Sequence, residues 1–317
     1  MEIKIKRTPA RDDYSSLRYR VTPFKASGIY PRGIFMSPSA VFVADDDIVF
    51  AVTYCSTWRS KEDLPYSEVD WMNPELVRLL GSLVLCERFT DQRCWFYPHV
   101  HADLLLANDK LELEDLDCVA QIRSAVIREP RFTSPARITE ASEDHLSQGF
   151  LFDANELNIE LRSLYWAKIS VSNLLLMRGI QALVKCDMLA KHHEFQEEAA
   201  IAAFIALDAS FEMVRRHLQS LGFSNPSAKD AATWFHNTFD GPLGFPPPTD
   251  GQFFGDFYSQ RIQTFHPGSR FGDSPFAAIS IDDRIHLRQA LPGLFAYLLT
   301  GEHSPDWVER IAEAQGK

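Results

Sequence analysis

Apolar side chains in the second half of the chain recur at the three- and four-residue spacing of amphipathic helices, which restricts this half to a helical fold. The first run carries Leu161, Leu164, Ile169, Leu176, Ile180 and Leu183. It predicts one helix from about residue 155 to 189, and a second follows from about 194 to 221. Gly222 and Pro226 end the second helix, and Ser227 caps a third that reaches about Phe239. We therefore expect an all-α domain over residues 151–317.

The first half has a different pattern, with short β-rich runs between helical ones. Ser39 to Tyr54 predicts two strands around an acidic turn, whereas the proline- and glycine-containing stretch 22–38 predicts loop or edge. Further on, helices are expected over Asn73 to Cys86 and within Leu113 to Val126, with a strand-like run from Cys94 to Ala107. The sequence thus predicts an α+β protein, with a mixed, β-containing N-terminal domain over residues 1–150 and a boundary near 145–155.

Charge and composition narrow the classes of function. The net charge of −11 argues against a broadly basic nucleic-acid-binding protein but allows a local phosphate site. The five cysteines form no CxxC pair, so reduced thiols are the simplest interpretation. No apolar run reaches the length of a membrane span, and the N-terminus lacks the apolar stretch of a secretory signal. We expect a cytoplasmic protein with no membrane partner.

The segment Arg261-Ile-Gln-Thr-Phe-His266, followed by Pro267, is the strongest indication of chemistry. Histidine exchanges a proton near neutral pH, and arginine carries a permanent charge on a fork that matches phosphate. A proline disfavours helix at the residue before it, so His266 is expected where a helix ends. At that end the helix dipole favours a protonated imidazole. Alternatively, the arginine is merely exposed and the histidine caps a helix carbonyl.

Three segments in order give this part of the chain a resemblance to the HEPN family, in particular its Apea-like branch. Residues 253–267, which contain Tyr258 and the Arg–His pair, resemble the signature helix of HEPN domains. Residues 199–212, in which Asp208 follows an Ala-Leu pair, look like the preceding core helix. Residues 282–302 are similar to the closing helix. The resemblance covers about the last half of the chain.

The resemblance implies a metal-independent endoribonuclease, of the kind found among toxins and antiviral defence effectors, with no cofactor and no metal. His266 would transfer protons, Arg261 would stabilise the charge on the phosphorane, and Asp208 would orient one of them or form a simple salt bridge. Tyr258, Arg270 and Arg215 are the candidate substrate-binding residues. The implied partners are an RNA substrate and a second copy of the chain, with a regulatory protein as a further option.

Three other groups of polar side chains are alternative candidates for binding a metal ion or RNA. The predicted strand contains His99 and His101, with Cys94 nearby. These side chains indicate either a zinc site or two partly exposed histidines. The absence of a second ligand cluster favours the exposed histidines. Lys191 to His193 predicts a polar connector that could reach RNA. Arg215 to His217 predicts a solvated helix face or a phosphate contact.

Two other interpretations of the whole chain stay open at this point. In one, the helical half is a catalytically inactive HEPN-like binding or dimerisation module. In the other, the N-terminal half acts as a ligand or RNA sensor and the helical half is a dimerisation scaffold.

Overall fold

Two compact units make up the chain. A computed structural model describes residues 3, 5–7, 19–26, 32–45, 47–54, 73–86, 96–98, 104–106, 108, 110–129, 158–190, 192–246, 253–257 and 281–316. The first unit comprises Met1–Leu79 and Cys94–Ser163, and the second comprises Leu80–Arg93 and Leu164–Lys317. The boundary predicted near residues 145–155 lies outside the described residues.

The first unit contains an antiparallel sheet, so the α+β prediction is confirmed. Seven strands are described, and their order across the sheet is β1-β7-β2-β5-β4-β3, with β6 also paired to β2. They are β1 (Ile5–Arg7), β2 (Tyr19–Ala26), β3 (Gly33–Met36), β4 (Ala40–Ala44), β5 (Val49–Tyr54), β6 (Phe96–Pro98) and β7 (Leu104–Leu106).

The predicted hairpin is confirmed in β4 and β5, which pair from Ala40 opposite Thr53 to Ala44 opposite Val49. Its acidic turn is held by one carboxylate, because Asp45 Oδ1 accepts the backbone N–H groups of Asp47 and Ile48 at 2.8 and 2.9 Å. The guanidinium of Arg123 binds both Asp45 and Asp47 across the fold. The turn is therefore fastened to the helix that carries Arg123.

The prediction for residues 22–38 was wrong in one respect. β2 runs through Pro23 and lies inside the sheet, between β7 and β5, whereas β3 occupies the edge as expected. Proline cannot donate to a β-ladder and usually predicts an edge or a loop. Here the pairing of β2 with β5, β6 and β7 outweighs that local preference.

Two helices predicted in the first half are confirmed as α1 (Pro74–Val84) and α2 (Leu116–Ile127). Asn73 begins α1, because its Oδ1 accepts the N–H of Leu76 at 2.8 Å while its Nδ2 donates to Thr53 Oγ1 at 3.0 Å. Asp115 caps α2. The strand-like run 94–107 contains the two short strands β6 and β7.

The second unit is built from helices. They are α3 (Ile159–Lys168), which begins in the first unit, then α4 (Leu174–Leu189), α5 (Gln196–Ser220), α6 (Ala228–Phe235), a helical stretch at 253–257, α7 (Ile281–Thr300) and α8 (Pro305–Ala314). The second and third helices predicted from sequence correspond to α5 and α6. Helix α5 packs against both α4 and α7.

The single helix predicted over 155–189 is instead two, α3 and α4, separated by residues 169–173. The hydroxyls of Ser170 and Ser172 lie 2.8 Å apart, and Asn173 Oδ1 accepts the N–H of Leu176 at 3.3 Å. Serine and asparagine side chains compete with helical hydrogen bonds and favour caps. That competition ends one helix and begins the next although the apolar spacing continues.

A buried ion pair joins α4 to α7. Arg288 Nε lies 2.9 and 3.0 Å from the two carboxylate oxygens of Asp187, and Nη2 lies 2.9 Å from Oδ2. Both side chains are 1% exposed. Burial, reinforced by Asp187, raises the pKa of the adjacent Cys186 thiol to about 12, so this cysteine is an unreactive thiol.

We predict that Asp187→Ala lowers the free energy of unfolding by about 3–5 kcal/mol, because it leaves the Arg288 guanidinium buried without its carboxylate. Asp187→Leu combined with Arg288→Met should restore most of this loss, since apolar side chains of similar volume carry no desolvation penalty. Urea unfolding of the three proteins measures both effects. A single substitution that costs less than about 1 kcal/mol would contradict this role of the pair.

Candidate functional site

The structure describes two of the six residues predicted for the site. Arg261, His266, Tyr258 and Arg270 lie outside the described residues, as do His99, His101, Cys94 and Lys191. Asp208 lies on α5 and is partly buried. Arg215 lies two turns further along the same helix.

Arg215 is engaged within the chain. Its guanidinium donates to Glu212 at 3.1 Å, to the carbonyl of Pro226 at 3.3 Å and to the side chain of Asn225 at 3.4 Å. These contacts fasten the end of α5 to the turn before α6. A phosphate would have to compete with them, and the role of Arg215 in substrate binding stays a prediction.

A cavity of about 990 Å³ lies within the second unit. Helices α6, α7 and α8 line it, together with the turn after α6 and the helical stretch 253–257. That stretch contributes Phe253, Asp256 and Phe257 to the wall. The cavity has the size of a small-molecule or substrate cleft, and the chain enters the Arg–His segment four residues after Phe257.

Aromatic rings hold the stretch 253–257 in place. Phe253 stacks on Phe235 of α6, with ring centroids 4.2 Å apart and planes 8° from parallel. Phe254 packs against Phe211 of α5 at 5.2 Å, and Phe257 lies edge-on to His286 of α7 at 5.9 Å. Ring contacts of this kind add to the free energy of apolar burial. Residues 253–257 are therefore anchored to three helices.

The polar part of the cavity centres on the turn after α6. Helix α6 ends at Phe235, and the chain continues through a π-helical turn, His236–Asp240, and a short 3-10 turn, Gly241–Leu243. Turns of the π type occur often at functional sites. His236 Nδ1 lies 3.9 Å from Asp240 Oδ2, and both residues line the cavity.

Burial shifts the pKa values of two side chains that line the cavity. Desolvation raises the pKa of the Asp240 carboxyl above its ordinary value, against the opposing effect of His236 and His286. Desolvation lowers the pKa of His303, against a hydrogen bond with the backbone of Thr238. The imidazole of His303 is therefore favoured in its neutral form, as a proton acceptor.

The acidic and histidine side chains of the cavity were not among the residues predicted from sequence. The described lining includes Asp240, Asp256, Asp283, Glu313, His236, His286 and His303. They come from five separate segments, so no local spacing reveals the whole set. The signal that the sequence does contain is the four-residue separation of His236 and Asp240, which places two polar side chains on one face of a helical turn.

The described residues contain neither a candidate metal site nor a candidate membrane span. No group of three or more His, Cys, Asp or Glu side chains in this part of the chain is arranged to hold a metal ion. Among the same residues, no helix has the length and apolar character needed to cross a membrane.

We predict that Asp240→Asn gains stability relative to the native chain as the pH rises from about 3 to about 7. A carboxyl with a raised pKa in the folded state contributes stability below the unfolded pKa, near 4, and loses it as the pH rises through the folded value. Urea unfolding at several pH values measures the difference.

Asp230→Asn is the matched control for this prediction. Ser227 donates to the Asp230 carboxylate through its backbone N–H at 2.8 Å and its hydroxyl at 2.7 Å, and these hydrogen bonds lower the pKa of Asp230. A lowered folded pKa contributes stability above the unfolded pKa and loses it as the pH falls, so Asp230→Asn should lose stability relative to the native chain as the pH rises. Equal slopes for the two variants would contradict the burial of Asp240.

Comparison with known proteins adds no assignment: no family model, no curated protein and no solved structure matches the chain.

Proposed function

We propose that the helical half of the chain is a HEPN-like bundle that cleaves RNA without a metal ion. The observation that carries the proposal is the Arg261–His266 segment, which follows a helical stretch anchored in the wall of a large cavity. The packing of α7 against α5 is further support, because these helices contain the two other segments that resemble the family.

The chemistry follows from the two side chains. His266 takes the proton of a ribose 2′-hydroxyl as it attacks the adjacent phosphate, or gives a proton to the leaving 5′-oxygen. Arg261 stabilises the negative charge that develops on the phosphorane. The products are a 2′,3′-cyclic phosphate and a free 5′-hydroxyl. Asp208, partly buried on α5, is the candidate to orient one of these groups.

One imidazole cannot readily accept and donate protons in the same step. Two copies of the chain related by a two-fold axis would bring two Arg–His pairs to one phosphate, so that one His266 acts as base and the other as acid. We therefore propose a homodimer as the active form.

Charge restricts the substrate. The chain carries a net charge of −11, so a long duplex would meet repulsion over most of the surface. A single-stranded loop presents few phosphates and exposes its bases. We propose single-stranded or looped RNA as the substrate class.

We predict that the purified chain cleaves a labelled single-stranded RNA in EDTA, and that His266→Ala and Arg261→Ala each reduce the rate by at least about 100-fold. Arg128→Ala and Lys168→Ala serve as controls, because both residues carry a positive charge, are exposed and lie far from the segment in sequence. They should cleave like the native chain. Circular dichroism establishes that all variants are folded.

A strict requirement for added magnesium, or equal rates for all five proteins, would contradict the proposal. Absence of cleavage by the native chain over a broad set of RNAs would favour the alternative of a catalytically inactive HEPN-like module.

A further inference from the structure

We infer that the cavity of the second unit binds a small organic cation, namely a primary ammonium group carried on an aromatic or aliphatic body. Its volume of about 990 Å³ is at the upper end of the range for small-molecule sites. Three features of its lining specify this class of ligand: its charge, a buried hydrogen-bond acceptor and its aromatic walls.

The charged side chains of the lining favour a cation. Among the described residues of the lining, Asp240, Asp256, Asp283 and Glu313 contribute carboxylates and Arg310 contributes one guanidinium. That guanidinium lies over the Trp307 ring at 5.6 Å from its centroid. The excess of carboxylates among these residues attracts a positive ligand.

A buried imidazole supplies a directed acceptor. The side chain of His236 is only 10% exposed, yet it lines the cavity. Asp240 Oδ2, at 3.9 Å from Nδ1, is too far for a hydrogen bond, and no hydrogen bond to this imidazole occurs among the described residues. A ligand that donates to this nearly buried imidazole therefore supplies a hydrogen bond that the described residues do not.

An ammonium group fits this arrangement because it has three N–H donors and no acceptor. An imidazole nitrogen of His236 and the carboxylate of Asp240 can both accept, and they lie on the same turn. His286 of α7 is close enough for its charge to act on Asp240, so it faces the same end of the cavity. The third histidine, His303, is favoured in the neutral, accepting form by its lowered pKa.

The walls accommodate the body of such a ligand. Phe235, Phe239, Phe253, Phe257 and Trp307 all line the cavity. Aromatic faces attract cations and bury apolar carbon. No residue of the Arg261–His266 segment takes part in this argument, so the inference goes beyond the proposed RNA cleavage and does not depend on it.

The test uses three probes with one body and different head groups, measured by calorimetry on the full chain. They are 2-phenylethylamine (cationic), 2-phenylethanol (neutral) and 3-phenylpropionate (anionic). We expect the amine to bind at least about 10-fold more tightly than the alcohol, and the carboxylate to bind more weakly than either.

Two variants locate the site. Asp240→Asn should weaken binding of the amine about 10-fold and leave the alcohol unaffected. Glu309→Gln is the control, because it removes the same charge from α8 at an exposed position that does not line the cavity. It should leave amine binding unchanged. If Asp240→Asn does not fold, Asp256→Asn takes its place, because Asp256 is an exposed residue of the lining.

The inference is overturned if the amine fails to bind at about 10 mM, or if amine and alcohol bind within about twofold of each other. It is also overturned if Glu309→Gln weakens amine binding as much as the lining variant, since that result would indicate attraction by overall charge alone.

Discussion

The buried ion pair between Asp187 and Arg288 is the constraint on which the helical unit depends. Its oxygen and nitrogen atoms lie 2.9–3.0 Å apart with almost no exposure to solvent. A bidentate pair tolerates little rotation, so it fixes which face of α7 meets the core. With Arg288 directed at α4, Leu287 and Leu291 are fully buried, while Asp283, His286, Ala290 and Gly293 line the cavity.

The cavity retains groups that burial disfavours. Asp240 is partly desolvated and His236 is nearly buried without a hydrogen bond among the described residues. Arrangements of this kind reduce stability and are common where a protein binds a ligand or carries out chemistry. The stacked rings around Phe253 offset some of that loss, because they fasten the stretch 253–257 to α6. Phe253 and Phe235 also line the cavity, so the same rings contribute to stability and to the site.

The sequence predicts the parts of this fold that depend on local chemistry. Asn73 and Pro74 predicted the start of α1, and the acidic turn at Asp45 predicted the hairpin, because caps and turns are formed by neighbouring residues. The strand through Pro23 was missed, since its stability comes from pairing with distant strands. Asp187 and Arg288 are 101 residues apart, and no periodicity connects them.

The candidate site also has residues that a local pattern reveals and residues that only the fold brings together. A resemblance to HEPN domains gave Arg261 and His266 as candidates, since an arginine and a histidine at a fixed spacing are visible in one segment. His236, Asp240 and His286 could not be found in this way, because α6 and α7 bring them together from separate parts of the chain.

We propose that the chain cleaves RNA through attack by the RNA's own 2′-hydroxyl. The most direct measurement compares two RNAs that are identical except for a 2′-deoxy substitution at the nucleotide before the cleaved bond. We expect the native chain to cut the unmodified RNA and to leave the substituted one intact at that bond, because the attacking oxygen is missing. Equal cleavage of both RNAs would contradict the account, since it would require an attacking group other than the 2′-hydroxyl.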